Sequence, residues 1–133
     1  MSKEAIRYLK NAKEILSKSG IEENRYRDIK LVREACSTAY LSVLIAIDEY
    51  LIRRGVDEKN LPKLVVSKAN PSIYGYREML KKYLSVHNGK IIRNFEALYK
   101  ELHIAGYYRR LLEDVDMVKA ALKSAGSFIE KIK

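Results

Sequence analysis

YRDIKLVREACSTAYLSVLIAIDEYLIRRG, residues 26–55, is the stretch on which the fold turns. Ile29, Val32, Cys36, Ala39, Val43, Ala46 and Tyr50 recur in it at alternating spacings of three and four, the period of an α-helix. Leu41, Leu44, Ile45, Leu51 and Ile52 fall on the neighbouring faces. Between Cys36 and Ile47 the helix is apolar nearly all round, so it must be surrounded by other elements. Its β-branched residues cost some helix propensity, which burial offsets. The pattern predicts one long helix from about Glu22 to Arg54, closed by Gly55 as the residue just past its end.

The flanking sequence repeats this logic. Ala5, Leu9, Ala12 and Leu16 form one stripe, widened by Ile6 and Ile15, and predict a first helix from Lys3 to Ser19 with Ser2 as N-cap and Gly20 at its end. Lys3, Arg7, Lys10 and Lys13 fall on its solvated side. Asp57, Asn60, Pro62, Asn70 and Pro71 mark residues 55–72 as a connection, while Leu61, Leu64, Val65 and Val66 predict a short helical turn within it. Ile73, Tyr76, Leu80, Tyr83 and Leu84 predict a third helix, about Ser72 to Val86, that starts from an Asn70 cap and ends before a His87-Asn88-Gly89 turn. Ile91, Phe95, Leu98, Leu102 and Ala105 predict a fourth from Lys90 to about Ala105, with Gly106 as its stop. In the last stretch Leu111, Val115, Val118, Leu122, Ala125, Ile129 and Ile132 alternate four and three without a break, the seam of a left-handed bundle. Ser124, Ala125, Gly126 and Ser127 within it point to a close approach by another helix. The expected fold is all-α: a single-domain antiparallel bundle of four to five helices around a long central second helix.

Composition agrees. Of 133 residues, 47% are apolar and 32% charged, with six glycines and two prolines, the balance of a folded, soluble helical chain with few turns. The most apolar run, about twelve residues from Cys36 to Ile47, is short for a bilayer and is followed by Asp48 and Glu49, so no membrane span is expected. Cys36 is the lone cysteine, which excludes an intrachain disulfide and fits a reducing, cytoplasmic setting. Its helical surroundings make it a small buried hydrophobe. The formal charge of +9 favours nucleic acid, an anionic surface or an acidic partner. The basic residues are nonetheless spread along the chain rather than gathered in an arm.

No constellation for catalysis emerges. Glu101-Leu102-His103 places a carboxylate and an imidazole two residues apart, which points them away from each other on a helix, and neither His87 nor His103 has a partner ligand at the next turn. Cys36 has no adjacent base, and no phosphate or dinucleotide loop is present, so neither metal, cofactor nor small-molecule substrate is implied. Asp48 interrupts an apolar face and is expected to pair with an arginine of another helix, and Glu49 with Arg53 one turn on. Arg53 and Arg54 with Lys59, Lys63 and Lys68 form a basic rim at one end of the bundle. Ten tyrosines against two phenylalanines and no tryptophan are unusual. Tyr40, Tyr50, Tyr76, Tyr83 and Tyr99 occupy core positions or their borders, but Tyr107-Tyr108-Arg109-Arg110 sets two aromatics beside two guanidiniums, a set that grips a nucleotide or a partner surface.

The second-helix stretch resembles the corresponding pattern of the HEPN superfamily, small and often dimeric helical bundles found with nucleotidyltransferases and in prokaryotic toxin–antitoxin systems. Ile92-Arg93-Asn94-Phe95 is similar to the first half of that family's ribonuclease motif, an Arg, commonly followed by Asn, with a His about five residues on. Leu98, Tyr99 and Lys100 stand where the His would fall, and His103 lies further along. Without an imidazole to move the ribose proton near neutral pH, the resemblance implies binding by Arg93 and Asn94 rather than cleavage. Two functions follow. The first is a non-catalytic helical interaction module, a homodimer that binds a protein partner. The second is a HEPN-like nucleic-acid-binding protein that uses Arg93, Asn94, Tyr107, Tyr108, Arg109 and Arg110.

Overall fold

The computed structural model describes residues 3–62, 72–83, 89–108 and 112–132, with side chains at all of these except 72–74 and 108. Among them are α1 (Lys3–Ser17), a two-stranded hairpin of β1 (Ile21–Glu22) and β2 (Arg25–Tyr26), α2 (Ile29–Arg53), a 3-10 turn (Glu58–Asn60), α3 (Ser72–Tyr83), α4 (Gly89–Leu98), a π-helical segment (Tyr99–Tyr108) that continues α4, and α5 (Val115–Ile132). The chain is an all-α bundle with one small hairpin.

The hairpin corrects the start of the second helix. Residues 22–28 are not helical: Glu23 and Asn24 take positive φ values of 52° and 61° and make a two-residue turn between the paired strands. The Tyr26 amide donates to the Glu113 carbonyl at 2.9 Å and the Val115 amide to the Asn24 carbonyl at 2.9 Å, so the hairpin is pinned across the start of α5. The helix begins instead after Asp28, whose carboxylate accepts from the Lys30 and Leu31 amides at 3.0 and 3.3 Å, an N-cap that occupies two otherwise unbonded donors. At its other end Gly55, at φ 97°, donates to Ile52 and the next amide, Val56, reaches back to Leu51, both at 3.0 Å. That pair of bonds is the glycine-terminated stop anticipated from the sequence.

The strand bonds set the two ends of α2 beside those of α5: Tyr26 meets Glu113 at the start, and the Arg53 guanidinium donates to the Ile132 carbonyl at the finish. α2 and α5 therefore run parallel. The leg of α4 and the π-helical segment runs against them, since Phe95 meets Phe128 late in α5 while Gly106 meets Cys36 early in α2. α1 also runs against α5, because its C-terminus feeds the hairpin at the start of α5 while Gly126, late in α5, lies against Leu9. The result is a bundle of α1, α2, the α4–π leg and α5 in which successive legs run antiparallel, α2 and α5 pack on each other in parallel, and α3 is laid on α2 and α4. α2 packs on α1, α3, the π-helical segment and α5 and is buried at twelve positions from Val32 to Leu51, as its all-round apolarity requires. By length and composition α2 is also apolar enough to cross a membrane; in this fold its apolar faces are covered by the rest of the bundle.

The fourth helix also departs from its expected form. It does not stop at Gly106 but widens at Tyr99 and runs to Tyr108. The expected inward residue Ala105 is only half-buried, and Gly106 takes the buried place after Leu102. A Cβ added at Gly106 would lie 2.6 Å from the Cys36 sulfur and 2.7 Å from its Cβ, so only glycine lets this leg close onto α2. The described helix reaches Tyr108, and α5 starts at Val115; Arg109, Arg110 and Leu111 lie outside the described residues, as do Leu64, Val65 and Val66 of the turn expected within 55–72, the caps at Ser2 and Asn70, the expected end of the third helix past Tyr83, and His87 and Asn88 of the turn expected after it.

Two charge pairings also differ from expectation. Among the described residues Asp48 meets no arginine: its Oδ2 accepts from the Tyr76 hydroxyl at 3.2 Å, and its Oδ1 is buried with no hydrogen-bond partner there. Burial pushes its carboxyl up to about 6, the Tyr76 hydroxyl pulls it back and the charge of Glu49 adds to the rise. Arg53 goes to the end of α5 rather than to Glu49, where its charge complements the helix dipole.

Candidate binding groove

Of the expected site residues, Arg93, Asn94 and Tyr107 have described side chains, and these three do not share one place on the bundle. Arg93 is exposed on the outer side of α4. Asn94 is half-buried and, with Leu98 of its own helix and Lys123, Ser127, Phe128 and Lys131 of α5, lines a small cleft of mixed character and about 340 Å³. Tyr107 lies thirteen residues on, roughly 15–20 Å along the same leg. Its ring is stacked on His103 (5.8 Å between centroids, 5° between planes) and lies under the Arg33 guanidinium at 4.4 Å. The i→i+5 bonding of the π-helical segment brings residues four apart nearly into line, so Tyr99, His103 and Tyr107 form a column that Tyr40 joins, 4.9 Å from the His103 ring. Burial holds the His103 imidazole below its ordinary value, so at neutral pH it is an uncharged ring in an aromatic stack. The Tyr108 side chain, Arg109, Arg110, Lys63 and Lys68 lie outside the described residues.

A larger opening lies elsewhere, between α1 and α5. It is an apolar groove of about 820 Å³ with Leu9, Leu16, Leu122 and Ile129 on its floor and walls. Ile6 and Ile21 stand at its mouth, 45% and 55% exposed, a large apolar surface left to solvent. The opening exists because α5 presents Gly126 and Ser127, and α1 presents Ser17, at positions where larger side chains would fill it. Lys13 of α1 and Lys119 and Lys123 of α5 stand on its two walls. All three are exposed and, among the described residues, make no ion pair. Sequence periodicity marked Ile6 as a widening of the first stripe and Lys13 as solvated; that both flank one groove with Lys119 and Lys123 depends on how α1 is set against α5. The signal available in the sequence was the run of small residues from Ser124 to Ser127 beside a column of lysines four apart.

Among the described residues no three His, Cys, Asp or Glu side chains gather as metal ligands. Burial pushes the Cys36 thiol up to about 12, which removes it as a nucleophile near neutral pH.

A family model described as Domain of unknown function (DUF5618) matches residues 1–133. The chain belongs to this DUF5618 family. A solved structure of a protein of unknown function from Dyadobacter fermentans is similar to it, with 31% identity, a TM-score of 0.73, and coverage of 98% of this chain and 91% of that one. A search of curated proteins finds no match. The DUF5618 chain and its structural neighbour thus share one bundle, and neither likeness names an activity.

Proposed function

We propose that this protein is a non-catalytic helical interaction module, and that the α1–α5 groove is where a partner protein lays an apolar helix face. The observation that carries this reading is the groove: about 820 Å³ of largely apolar space, open along two antiparallel helices, with Ile6 and Ile21 exposed at its mouth. Helix-in-groove recognition uses such a surface, with anchors spaced at one-turn intervals along the incoming helix. The groove is lined along α1 from Ile6 to Ser17 and along α5 from Lys119 to Glu130, about 16 Å at 1.5 Å per residue, or three helical turns.

The test is titration of a stapled, uncharged amphipathic helical peptide (a leucine stripe on a glutamine background) into isotopically labelled protein. Shifts confined to α1 and α5, and abolished by the exposed-residue variant Ile6→Glu/Ile21→Glu, are expected. Shifts that map to the Tyr107 face, or no shifts at millimolar peptide, would overturn the reading. The HEPN resemblance makes a separate demand: salt-sensitive binding of single-stranded RNA that is lost in Arg93→Ala.

A further inference from the structure

We infer, resting on that reading of the groove, that the partner helix is acidic, with carboxylates on both of its flanks. The argument is charge placement. Lys13 stands on the α1 wall, and Lys119 and Lys123 stand one turn apart on the α5 wall. Each is exposed and without an ion pair among the described residues, so the rim carries three positive charges around an apolar floor. Glu130 at the far end of the groove is engaged within the chain.

A helix lying in the groove sets its apolar stripe on Leu9, Leu122 and Ile129 and turns its two flanks toward the two walls. Glutamates four apart on one flank meet Lys119 and Lys123; a glutamate on the opposite flank meets Lys13. A second copy of this chain fits poorly. An isologous pairing sets the same lysine rim against itself, in a molecule of net charge +9. An anionic amphiphile such as a fatty acid has its charge at one end, whereas these lysines are divided between two walls.

The experiment uses three stapled helical peptides of about fourteen residues, alike in their leucine stripe and carrying Glu, Gln or Lys on the flanks; stapling is needed because free helices of that length are marginal in water. Affinities are read by fluorescence anisotropy at low and moderate salt. The Glu peptide is expected to bind about tenfold tighter than the Gln peptide at low salt, since three partly exposed pairs each contribute roughly two- to threefold. The Lys peptide is expected to bind weakest, and the spread to narrow as salt is added. In Lys119→Glu/Lys123→Glu the order of Glu and Lys peptides is expected to reverse. Equal affinity of Glu and Gln peptides would overturn the acidic partner while leaving the groove as a docking site; no binding by any of the three would remove both. Displacement of the peptides by dodecanoate with the same lysine dependence and no preference among flanks would reassign the groove to an amphiphile. A dimer in sedimentation that Ile6→Glu dissolves would reassign it to a second copy.

Discussion

Asp48 is the residue whose environment most changes its chemistry. An aspartate with an ordinary value of 3.8 sits half-buried against Tyr76 and is pushed up to about 6. The folded state therefore holds a proton that the unfolded chain has already released between these two values. Stability contributed by the protonated form is complete below about pH 4, declines as pH rises to about 6, and is absent above that. Asp48→Asn, which keeps an oxygen for the Tyr76 hydroxyl, is expected to raise stability at pH 7 by about 1–2 kcal/mol, after allowance for the group's solvent contact, and to change little at pH 4. Denaturant unfolding of both proteins across pH 4–8 checks this. His103 has the opposite sign: its imidazole is held below 6.5, so its contribution is present above that value and lost as pH falls. Both proteins carry His103, so its effect cancels in the difference. Gly106 decides packing at the same scale. Gly106→Ala drives a methyl against Cys36 and is expected to cost about 1–3 kcal/mol, with Cys36→Ala restoring only part of the loss because the Cys36 Cβ is itself 2.7 Å from the added group. In the wild type the buried thiol is expected to react with a disulfide reagent only on unfolding.

The elements of this bundle are set by how their ends are closed. α2 has no acidic residue in its first turn, so its N-terminus depends on the Asp28 cap. Asp28 is itself held in place, its amide donating to the Ser19 hydroxyl at 3.1 Å. Asp28→Ala is expected to cost about 1 kcal/mol in equilibrium unfolding, and Asp28→Ser much less, because serine restores an acceptor for the same amides. The hairpin that precedes the cap explains the misplaced start of this helix. Residues 22–27 are polar and charged, with no apolar period to mark where a helix begins. The bonds that pin this hairpin in place run to Glu113 and Val115, about ninety residues away, beyond any local reading. The widening of α4 at Tyr99 has the same kind of cause. The 4-3-4-3 apolar spacing through Ala105 describes an α-helix, and it is the approach of α2, through Cys36 against Gly106, that selects the alternative inward residue.

For the whole molecule, the distribution of charge matters more than its sum. A net +9 is spread over the surface, and the structure adds that three of the lysines border the apolar groove between α1 and α5. Lys119→Glu/Lys123→Glu lowers the formal charge from +9 to +5 and relieves self-repulsion, so the variant is expected to melt at the wild-type temperature or slightly above it. Calorimetry in low salt checks this, and an unfolded variant would contradict the absence of ion pairs at these positions. The arrangement of helices around α2 follows from the same scale: α2 is apolar on every side, so the other legs must ring it, and α5 presents Gly126 and Ser127 beside the leucines of its approach to α1.

The sequence by itself determined the all-α class, the identity of the central helix, the stop at Gly55 and the inward faces of α1 and α5, because apolar period and helix-ending glycines are local properties of the chain. What only the tertiary structure decided were relations between segments distant in the chain: the hairpin laid across the start of α5, Tyr76 rather than an arginine as the partner of Asp48, the separation of Asn94 from Tyr107 along one leg, and the groove. A groove is a deficit of volume between two helices. Each helix reads as an ordinary amphipathic element until the small residues of α5 are set beside α1, and only then does the missing volume become a place for something else.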